Sequence, residues 1–327
     1  MIVFDHVCKS YPGGVDAVRD LTLEVNEGET LVLLGTSGCG KTTTLKMVNR
    51  LIEPTSGHIR VRGADIMPQD PIDLRRSIGY AIQDIGLFPH MTVGENIGVV
   101  PRLLRWPREE VAERVDRLLT MVGLDPADFR DRFPVQLSGG QQQRIGVARA
   151  LAADPPIVLM DEPFGALDPI TRERLQDEFI ELESEIRKTV LFVTHDIFEA
   201  VKMGDRVALL DEGALQQLAT PSELVESPAN EFVDQFLGQH RFQLSLLTRT
   251  VKTLMAELPS QDLASAEAPS GPRLRARSSL VEALNMFKTT NRESLPVYES
   301  GRCLGVLQKG QLLYMITQVL GEAGEGQ

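Results

Sequence analysis

The sequence predicts an α/β fold in which a buried parallel sheet carries a phosphate-binding loop, and three observations predict it. The apolar run at 30–34 leads into a glycine-rich loop, Gly35–Thr42, that reads GTSGCGKT. Two further apolar runs, at 157–160 and 191–193, end in Asp-Glu and in Thr-His-Asp. Such runs are typical of strands buried on both faces, and the C-terminal ends of parallel strands face the ligand crevice.

The loop at Gly35–Thr42 matches G-x-x-x-x-G-K-[ST] at every constrained position. Between a strand and a helix, predicted over 42–51, such a loop turns backbone N–H groups inward and binds a polyphosphate. Lys41 is expected to reach the β- and γ-phosphates, and the Thr42 hydroxyl to ligate Mg²⁺. A glycine-rich turn with a chance Lys-Thr is the alternative. The predicted nucleotide-binding residues here are Gly35, Thr36, Ser37, Gly38, Cys39, Gly40, Lys41, Thr42 and Thr43.

A second glycine motif, LSGGQ at Leu137–Gln141, precedes a helical pattern that runs to residue 153. Ser138 can cap that helix, and the glycines expose N–H donors, so the motif is a second anion-binding helix start. It resembles the signature peptide of ATP-binding cassette (ABC) ATPases. The resemblance implies that Ser138, Gly139, Gly140 and Gln141 bind ATP held by another subunit, and hence a head-to-tail homodimer enclosing two ATP molecules.

The apolar run at 157–160 ends in the carboxylates of Asp161 and Glu162. Asp161 is expected to hold Mg²⁺ through water, and Glu162 to polarise the attacking water as general base. A strand that ends in a solvated acidic turn is the alternative, and the other motifs disfavour it.

The ABC resemblance also implies roles for four scattered residues. His195 would contact the γ-phosphate and hold the water and Glu162 in line. Gln83 would touch Mg²⁺ and report the nucleotide state to a membrane partner, and Tyr11 would stack on adenine. Asp168 would lie in the loop through which the subunits sense each other, although a helix-capping role is equally compatible with the sequence. An ordinary strand aromatic is the alternative for Tyr11.

Residues 1–238 are predicted to form the ATPase domain. The segments 1–7 and 21–25 are expected to form an antiparallel layer beneath the nucleotide. A mostly helical subdomain is expected over about 88–156, including a helix over 109–119 with apolar residues at helical spacing. Asp-Glu-Gly at 211–213 indicates a hairpin turn. By resemblance, the region around Phe88 and Met91 receives a permease helix; simple packing within the chain is the alternative.

Residues 239–327 are predicted to form a small α+β accessory domain. A Pro/Ser/Ala/Gly-rich stretch at 259–272 indicates a loop, between an entry helix at 250–255 and an amphipathic helix at 279–287. Two strands at 294–298 and 303–307 and a helix at 311–319 follow. Their order resembles a single cystathionine-β-synthase (CBS) motif. Because such motifs work in pairs, this one is expected to pair with its twin in the dimer, as a regulatory module or as a dimerisation scaffold.

An ABC ATPase with a CBS-type tail resembles the ATP-binding subunits of importers for quaternary-amine osmoprotectants (glycine betaine, carnitine, choline). The stretch GYAIQDIGLFPHMT at 79–92 also resembles that group. The resemblance implies permease subunits as direct partners and a substrate-binding protein as an indirect one.

Composition sets limits on the function. No apolar run approaches the ~18–20 residues of a membrane span, and the N-terminus lacks a signal-peptide core. The three cysteines show no metal-binding spacing. We therefore expect a peripheral protein on the cytoplasmic face of the cell membrane. Residues 241–327 hold 10 basic and 8 acidic side chains, against 24 and 38 in the rest of the chain, and this acidic balance argues against a nucleic-acid partner.

Two functions remain open at this stage. The first is the ATP-hydrolysing motor of an osmoprotectant importer, with importers of another solute, such as amino acids, as its variant. The second is a non-transport ABC protein that clamps DNA, RNA or the ribosome. Such proteins usually carry two cassettes or long insertions, which this sequence does not contain.

Overall fold

The computed structural model describes residues 1–82, 86–165, 167–186, 188–257, 271–299 and 302–324. They form two compact units, Met1–Leu218 and Ala219–Gln327. The strands, in chain order, are β1 (Ile2–Tyr11), β2 (Val15–Val25), β3 (Thr30–Gly35), β4 (Ser56–Val61), β5 (Ala64–Asp65), β6 (Ile78–Ala81), β7 (Ile157–Asp161), β8 (Thr189–Val193), β9 (Arg206–Asp211), β10 (Ala214–Ala219), β11 (Leu274–Arg275), β12 (Ser294–Glu299) and β13 (Arg302–Gln308). The helices are α1 (Lys41–Val48), α2 (Pro71–Arg76), α3 (Val93–Ile97), α4 (Val99–Leu103), α5 (Arg108–Met121), α6 (Pro126–Phe129), α7 (Gly139–Leu151), α8 (Pro169–Ile186), α9 (Ile197–Met203), α10 (Pro221–Glu226), α11 (Glu231–Leu237), α12 (Arg241–Thr248), α13 (Val251–Glu257), α14 (Leu280–Thr290) and α15 (Lys309–Gly324).

A six-stranded sheet in the order β10-β9-β3-β8-β7-β6 forms the centre of the first unit. Its inner strands pair in parallel, as the apolar runs predict. Every residue of β3, β7 and β8 is buried, so these strands lack the alternation of a half-exposed sheet. The predicted hairpin joins β9 to β10, and both turn residues, Glu212 (φ 45°) and Gly213 (φ 82°), have the positive φ that a tight two-residue turn requires.

A second sheet, in the order β2-β1-β4-β5, confirms the predicted antiparallel layer and extends it by two strands. The side chains of its inner face, including Ile2, Phe4 and Ile59, share one hydrophobic core with residues of the central sheet. This core fixes β3, and therefore the start of the glycine-rich loop.

Helix α1 ends at Val48, three residues before the predicted end. Arg50 adopts a left-handed conformation (φ 45°), and its Nη1 donates to the carbonyl oxygens of Ile66, Met67 and Gln69. These contacts draw the chain away from the helix axis, which periodicity alone does not indicate.

Residues 88–156 contain helices α3–α7 and no strand. The predicted helix over 109–119 is α5, and its apolar residues Val111, Val115, Leu118 and Leu119 are buried. Helix α7, which follows the LSGGQ motif, packs against β6 and α3. It is therefore in contact with both the sheet and the helical region.

The second unit contains a three-stranded sheet in the order β11-β12-β13 with helices α10–α15. The tail helices and strands predicted from the sequence are all present, and Ser279 caps α14 by accepting from the Glu282 N–H (3.1 Å). Strand β11, which pairs in parallel with β12, was not predicted because its two residues carry no periodicity. Residues 259–270 of the predicted loop lie outside the described residues.

The compact units divide between Leu218 and Ala219, whereas the predicted domain boundary lies after residue 238. Helices α10 and α11 group with the tail because of contacts made by Arg241. Its Nε donates to the Val225 carbonyl (3.1 Å), and its Nη1 pairs with Asp234 (2.8 Å). The functional assignment of 1–238 and 239–327 stays a prediction.

Candidate functional site

The glycine-rich loop joins β3 to α1 and surrounds the side chain of Lys41. The Lys41 Nζ donates to the carbonyl oxygens of Gly35 (2.8 Å) and Thr36 (2.7 Å). Only 6% of this residue is exposed, although lysine is rarely buried. The loop therefore holds one ammonium group beside the N-terminus of α1, which carries partial positive charge.

Two loop positions require glycine for packing as well as for conformation. Gly35 (φ 150°) and Gly40 (φ 102°) both have positive φ. A Cβ at Gly35 would collide with the Leu210 carbonyl oxygen, and one at Gly40 with that of Ala17. The loop is thus pressed against β2 and β9 on its inner side.

Thr42 and Asp161, which were both predicted to bind Mg²⁺, lie in direct contact. The Thr42 Oγ1 donates to Asp161 Oδ1 at 2.9 Å. Asp161 is 1% exposed, and burial raises the pKa of its carboxyl, although the Thr42 hydrogen bond opposes that shift. A buried carboxylate beside a hydroxyl is the set of hard oxygen donors that Mg²⁺ prefers.

Glu162 and His195 converge at the ends of β7 and β8. Glu162 Oε1 lies 3.1 Å from His195 Nδ1. Glu162 has the positive φ (45°) that is rare for a residue with a Cβ. Its N–H donates to the Val193 carbonyl (3.0 Å), and its carbonyl accepts from the Gly165 N–H (3.1 Å). These bonds on both sides hold the strained backbone and aim the carboxylate toward His195.

An open cleft of about 470 Å³ brings together eight of the predicted residues. Its lining consists of Ser37, Gly38, Gly40, Lys41, Thr42, Thr43, Glu162 and His195. The phosphate loop and the carboxylate–histidine pair therefore share one cavity, although their lining residues are 119 to 158 positions apart in sequence.

The four predicted signature residues lie at the start of α7 and are not among the described residues that line this cleft. Ser138 caps the helix as predicted: its Oγ accepts from the Gln141 N–H (3.3 Å), and the Gln141 side chain accepts from the Ser138 N–H (2.9 Å). This reciprocal pair fixes the backbone of Gly139 and Gly140 at the helix terminus.

Three predicted residues remain. The Asp168 Oδ1 accepts from the Thr171 N–H (3.1 Å). Hydrogen bonds from the Thr171 side chain and, to a lesser extent, from its N–H lower the pKa of the Asp168 carboxyl. The helix-capping role is therefore present, at the start of α8. Tyr11 ends β1 with 37% of its surface exposed, and Lys9 Nζ lies 5.3 Å from its ring centroid. Gln83 lies outside the described residues.

Sequence reasoning missed Gln143, one turn into α7. This residue is 5% exposed, and its Nε2 donates to the Glu162 carbonyl (3.3 Å). The helix that carries the signature motif is therefore bonded to the backbone of the proposed base. A glutamine amid Gln-Gln-Gln carries no positional signal, and the contact depends on tertiary structure alone.

Cys39 is expected to react slowly with alkylating reagents at neutral pH. It is 3% exposed, and burial raises the pKa of its thiol while the nearby Lys41 charge partly opposes that shift. Because the thiolate is the nucleophile, alkylation should speed up as pH rises. The measurement is peptide mass spectrometry after iodoacetamide treatment at pH 7 and pH 9.

The matched variant Cys8→Ser/Cys303→Ser leaves Cys39 as the one cysteine in the chain. The other two are replaced because both are partly accessible and would also react. Once modified, the protein should lose ATP binding, because Cys39 Sγ lies 3.7 Å from Lys41 Nζ. Rapid alkylation at pH 7 would contradict the burial argument.

The loop, the buried carboxylate and the parallel sheet define a P-loop ATPase. Residues 18–165 match the family described as "ABC transporter". The chain is 49% identical over 304 residues to the carnitine transport ATP-binding protein OpuCA of Listeria monocytogenes, covering 93% of this chain and 74% of that protein. It is 45% identical over 314 residues to the glycine betaine uptake system ATP-binding protein YehX of Escherichia coli, covering 96% and 99%.

A dimeric, post-hydrolysis structure of the ATP-binding cassette MJ0796 bound to ADP and Pi is 35% identical. It has a TM-score of 0.63 and covers 67% of this chain and 98% of its own. The chain belongs to the ABC transporter family, as an ATP-binding subunit of the osmoprotectant-importer group. It is an ABC-type ATPase. No helix in the described ranges is long and apolar enough to cross a bilayer.

Proposed function

We propose that the protein hydrolyses ATP to drive import of a quaternary-amine osmoprotectant such as glycine betaine, carnitine or choline. The assignment of the solute class is supported by how much of this chain aligns with relatives of known name. Three relatives named for carnitine, choline or glycine betaine align over 93–96% of this chain, including its tail, at 45–49% identity. The glycine betaine/carnitine/choline protein OpuCA of Bacillus subtilis aligns over 74% at the higher identity of 56%. The trehalose import protein SugC of Mycobacterium tuberculosis aligns over only 72%. A cassette alone is shared among importers, whereas cassette and tail together favour the osmoprotectant class.

The cleft supports the following chemistry. The phosphates of ATP lie in the loop Gly35–Thr43, where Lys41 meets the β- and γ-phosphates. Thr42 and Asp161 would hold Mg²⁺, which neutralises charge on the phosphates when bound. Glu162 accepts a proton from the attacking water, and His195, 3.1 Å away, keeps that carboxylate in place. Tyr11 would stack on adenine, and Gln83 would contribute to holding the metal.

A second copy of the chain completes this site. Ser138, Gly139, Gly140 and Gln141 form a capped, anion-binding helix start that is separate from the lining of the cleft. A head-to-tail homodimer brings them to the ATP of the partner, with Asp168 in the intersubunit loop. The dimeric cassettes of MJ0796, 35–36% identical to this chain, support that arrangement.

The surface around Phe88 and Met91 is the proposed contact for a permease on the cytoplasmic face of the cell membrane. Phe88 is 41% exposed. Loop 86–92 is nevertheless held firmly, since Asn96 Nδ2 donates to the carbonyls of Phe88, Met91 and Thr92. A fixed loop with an exposed aromatic suits a coupling surface. We propose no nucleic-acid partner.

The test is reconstitution in proteoliposomes with the permease and substrate-binding protein. ATP-dependent uptake of labelled glycine betaine, carnitine or choline is expected, with no uptake by the Glu162→Gln variant. Uptake of labelled trehalose or amino acids, with none of a quaternary amine, would overturn the solute class while leaving the ATPase intact.

For the tail we propose a single CBS-type motif that pairs with its twin in the dimer. Support comes from the order α14, β12, β13, α15 around one hydrophobic core, which includes Phe287, Leu295 and Leu307. Whether this pair regulates or only dimerises is decided by titration with adenine nucleotides and by ATPase assays across ionic strength. If the tail does not respond to adenine nucleotides and the ATPase rate does not respond to ionic strength, the pair acts as a dimerisation scaffold.

Removal of residues 241–327 is expected to leave ATPase activity within about threefold of the full chain, because no cleft residue lies beyond His195. Stability should fall, since Arg241 bonds to α10 and α11, and α12, which carries the buried Leu244, packs against α10 in the intact protein. The measurements are ATPase rate and thermal unfolding. A truncated chain that folds but cannot hydrolyse ATP would show that the ATPase domain extends past 240.

A further inference from the structure

A buried polar contact joins α8 to α9 behind the catalytic cleft. Gln176 Nε2 donates to Glu199 Oε1 at 3.0 Å, and the two residues are only 6% and 7% exposed. Burial raises the pKa of the Glu199 carboxyl, while hydrogen bonds from Thr194 and Gln176 oppose that shift. The mechanism above uses neither residue, and burying a carboxyl group is costly unless its partners are fixed.

Glu199 lies in the first turn of α9, the helix that follows His195. Its N–H and that of Phe198 donate to Asp196 Oδ1 (3.3 and 2.8 Å), so Asp196 caps this helix. The Thr194 hydroxyl accepts from the Asp196 N–H (3.0 Å). Thr194 and Asp196 are the immediate neighbours of His195, and Thr194 is 1% exposed. The buried Thr194 hydroxyl therefore bonds to the residue on the other side of His195, and this bond restrains the backbone that carries the exposed imidazole.

On the α8 side, the contact is connected through Arg172 to the predicted intersubunit loop. Arg172 lies one turn before Gln176 on the same face of α8. Its Nη2 donates to the Leu167 carbonyl (3.2 Å), and its Nη1 lies 3.9 Å from Asp196 Oδ2. Side chains at successive turns of α8 therefore contact the segment beside Asp168, the residue that follows His195, and the first turn of α9.

We propose that Glu199 is a positioning residue for His195, anchored to α8 by Gln176, so that the placement of α8 sets the alignment of His195 with Glu162. The proposal rests on the function proposed for the Glu162–His195 pair. Its physical basis is that a small misplacement of a catalytic group is expensive, whereas buried, satisfied hydrogen bonds restrict movement.

The test is steady-state ATPase kinetics of Glu199→Ala in the full chain. We expect kcat to fall between about 10-fold and 100-fold, the cost of misplacing a catalytic group, with KM for ATP nearly unchanged. Lys202→Ala is the matched control. Lys202 also joins α9 to α8, through Asp177 (2.8 Å), and among the described residues neither side chain forms a hydrogen bond or ion pair with residues 194–196. The control should keep wild-type kinetics, and an equal loss in both variants would overturn the proposal.

A double-mutant cycle with His195→Ala separates positioning from general damage. Because Glu199 acts through His195, the double variant should be no slower than His195→Ala alone. Multiplied losses would overturn the proposal. Glu199→Gln should stay within about threefold of wild type, because its amide oxygen can still accept from Gln176 Nε2. A loss as large as that of Glu199→Ala would count against hydrogen-bonded positioning.

Gln176→Met supplies a second variant should Glu199→Ala fold poorly. It keeps the side-chain volume, removes the donor, and should lower kcat in the same direction. Full activity in this variant would overturn the anchoring role. An active His195→Ala variant would overturn the role proposed for His195. An inactive His195→Ala variant together with an unaffected Glu199→Ala variant would overturn the positioning role of Glu199 alone.

Discussion

Replacing Glu162 by glutamine is expected to leave ATP binding intact and to slow hydrolysis by about 100-fold to 10000-fold, the range for loss of a general base. The amide cannot accept a proton from water, yet it nearly matches the carboxylate in size. Its contact with His195 Nδ1, 3.1 Å in the wild type, can also persist. ATP should therefore remain bound and hold the two subunits together.

The measurements are ATP turnover, equilibrium ATP binding and elution volume in gel filtration with and without ATP. Glu212→Gln is a suitable control, because Glu212 has the same positive φ (45°) but lies in the exposed β9–β10 turn. Rapid turnover by Glu162→Gln would refute the base assignment. A Glu162→Gln variant that hydrolyses ATP slowly but stays monomeric with ATP would instead contradict an ATP site shared between two subunits.

The parts of the fold that the sequence predicts well are those in which local chemistry and tertiary structure agree. The run before Gly35 is apolar because β3 is covered on both faces, so burial and strand length coincide. Ser138 caps α7 through its own near neighbour Gln141, and the Glu212-Gly213 turn needs only its own backbone conformation. Each can be predicted because the partners are close in sequence.

Features set by distant partners could not be predicted. The early end of α1 depends on Arg50 reaching carbonyls 16 to 19 residues away. The contact between Gln176 and Glu199 spans 23 residues and joins two helices. In sequence, Glu199 follows Asp196 by three residues and looks like an ordinary acid in the first turn of a helix. Only the burial of Glu199 in the fold distinguishes it from such a residue.

Replacing Lys41 by alanine is expected to weaken ATP binding by at least about 100-fold, which corresponds to roughly 2.7 kcal/mol. The ammonium group is held at the loop by two carbonyl oxygens, so its position is set before the nucleotide arrives. Its loss removes a charge-assisted contact with the phosphates and one donor from each of those two carbonyls, of which that of Thr36 keeps the Cys39 N–H (3.3 Å). Calorimetric titration with ATP measures the first effect, and thermal unfolding measures the second.

The control for that experiment is Lys46→Ala, in the last turn of the same helix. Its charge also acts on Asp161, so it tests whether any nearby positive charge suffices. We expect ATP affinity to fall by less than about tenfold. The charge of Lys46 acts at a distance through a screening medium, and this interaction is weaker than a direct hydrogen bond to the phosphates. Equal losses in the two variants would mean that the field of the site, and not the geometry of the loop, binds the phosphates. Weaker ATP binding in Lys41→Ala alone would support the importance of loop geometry. The fold would then fix one ammonium group where the phosphates meet the N-terminus of α1, and the chemistry proposed at Glu162 would depend on that placement.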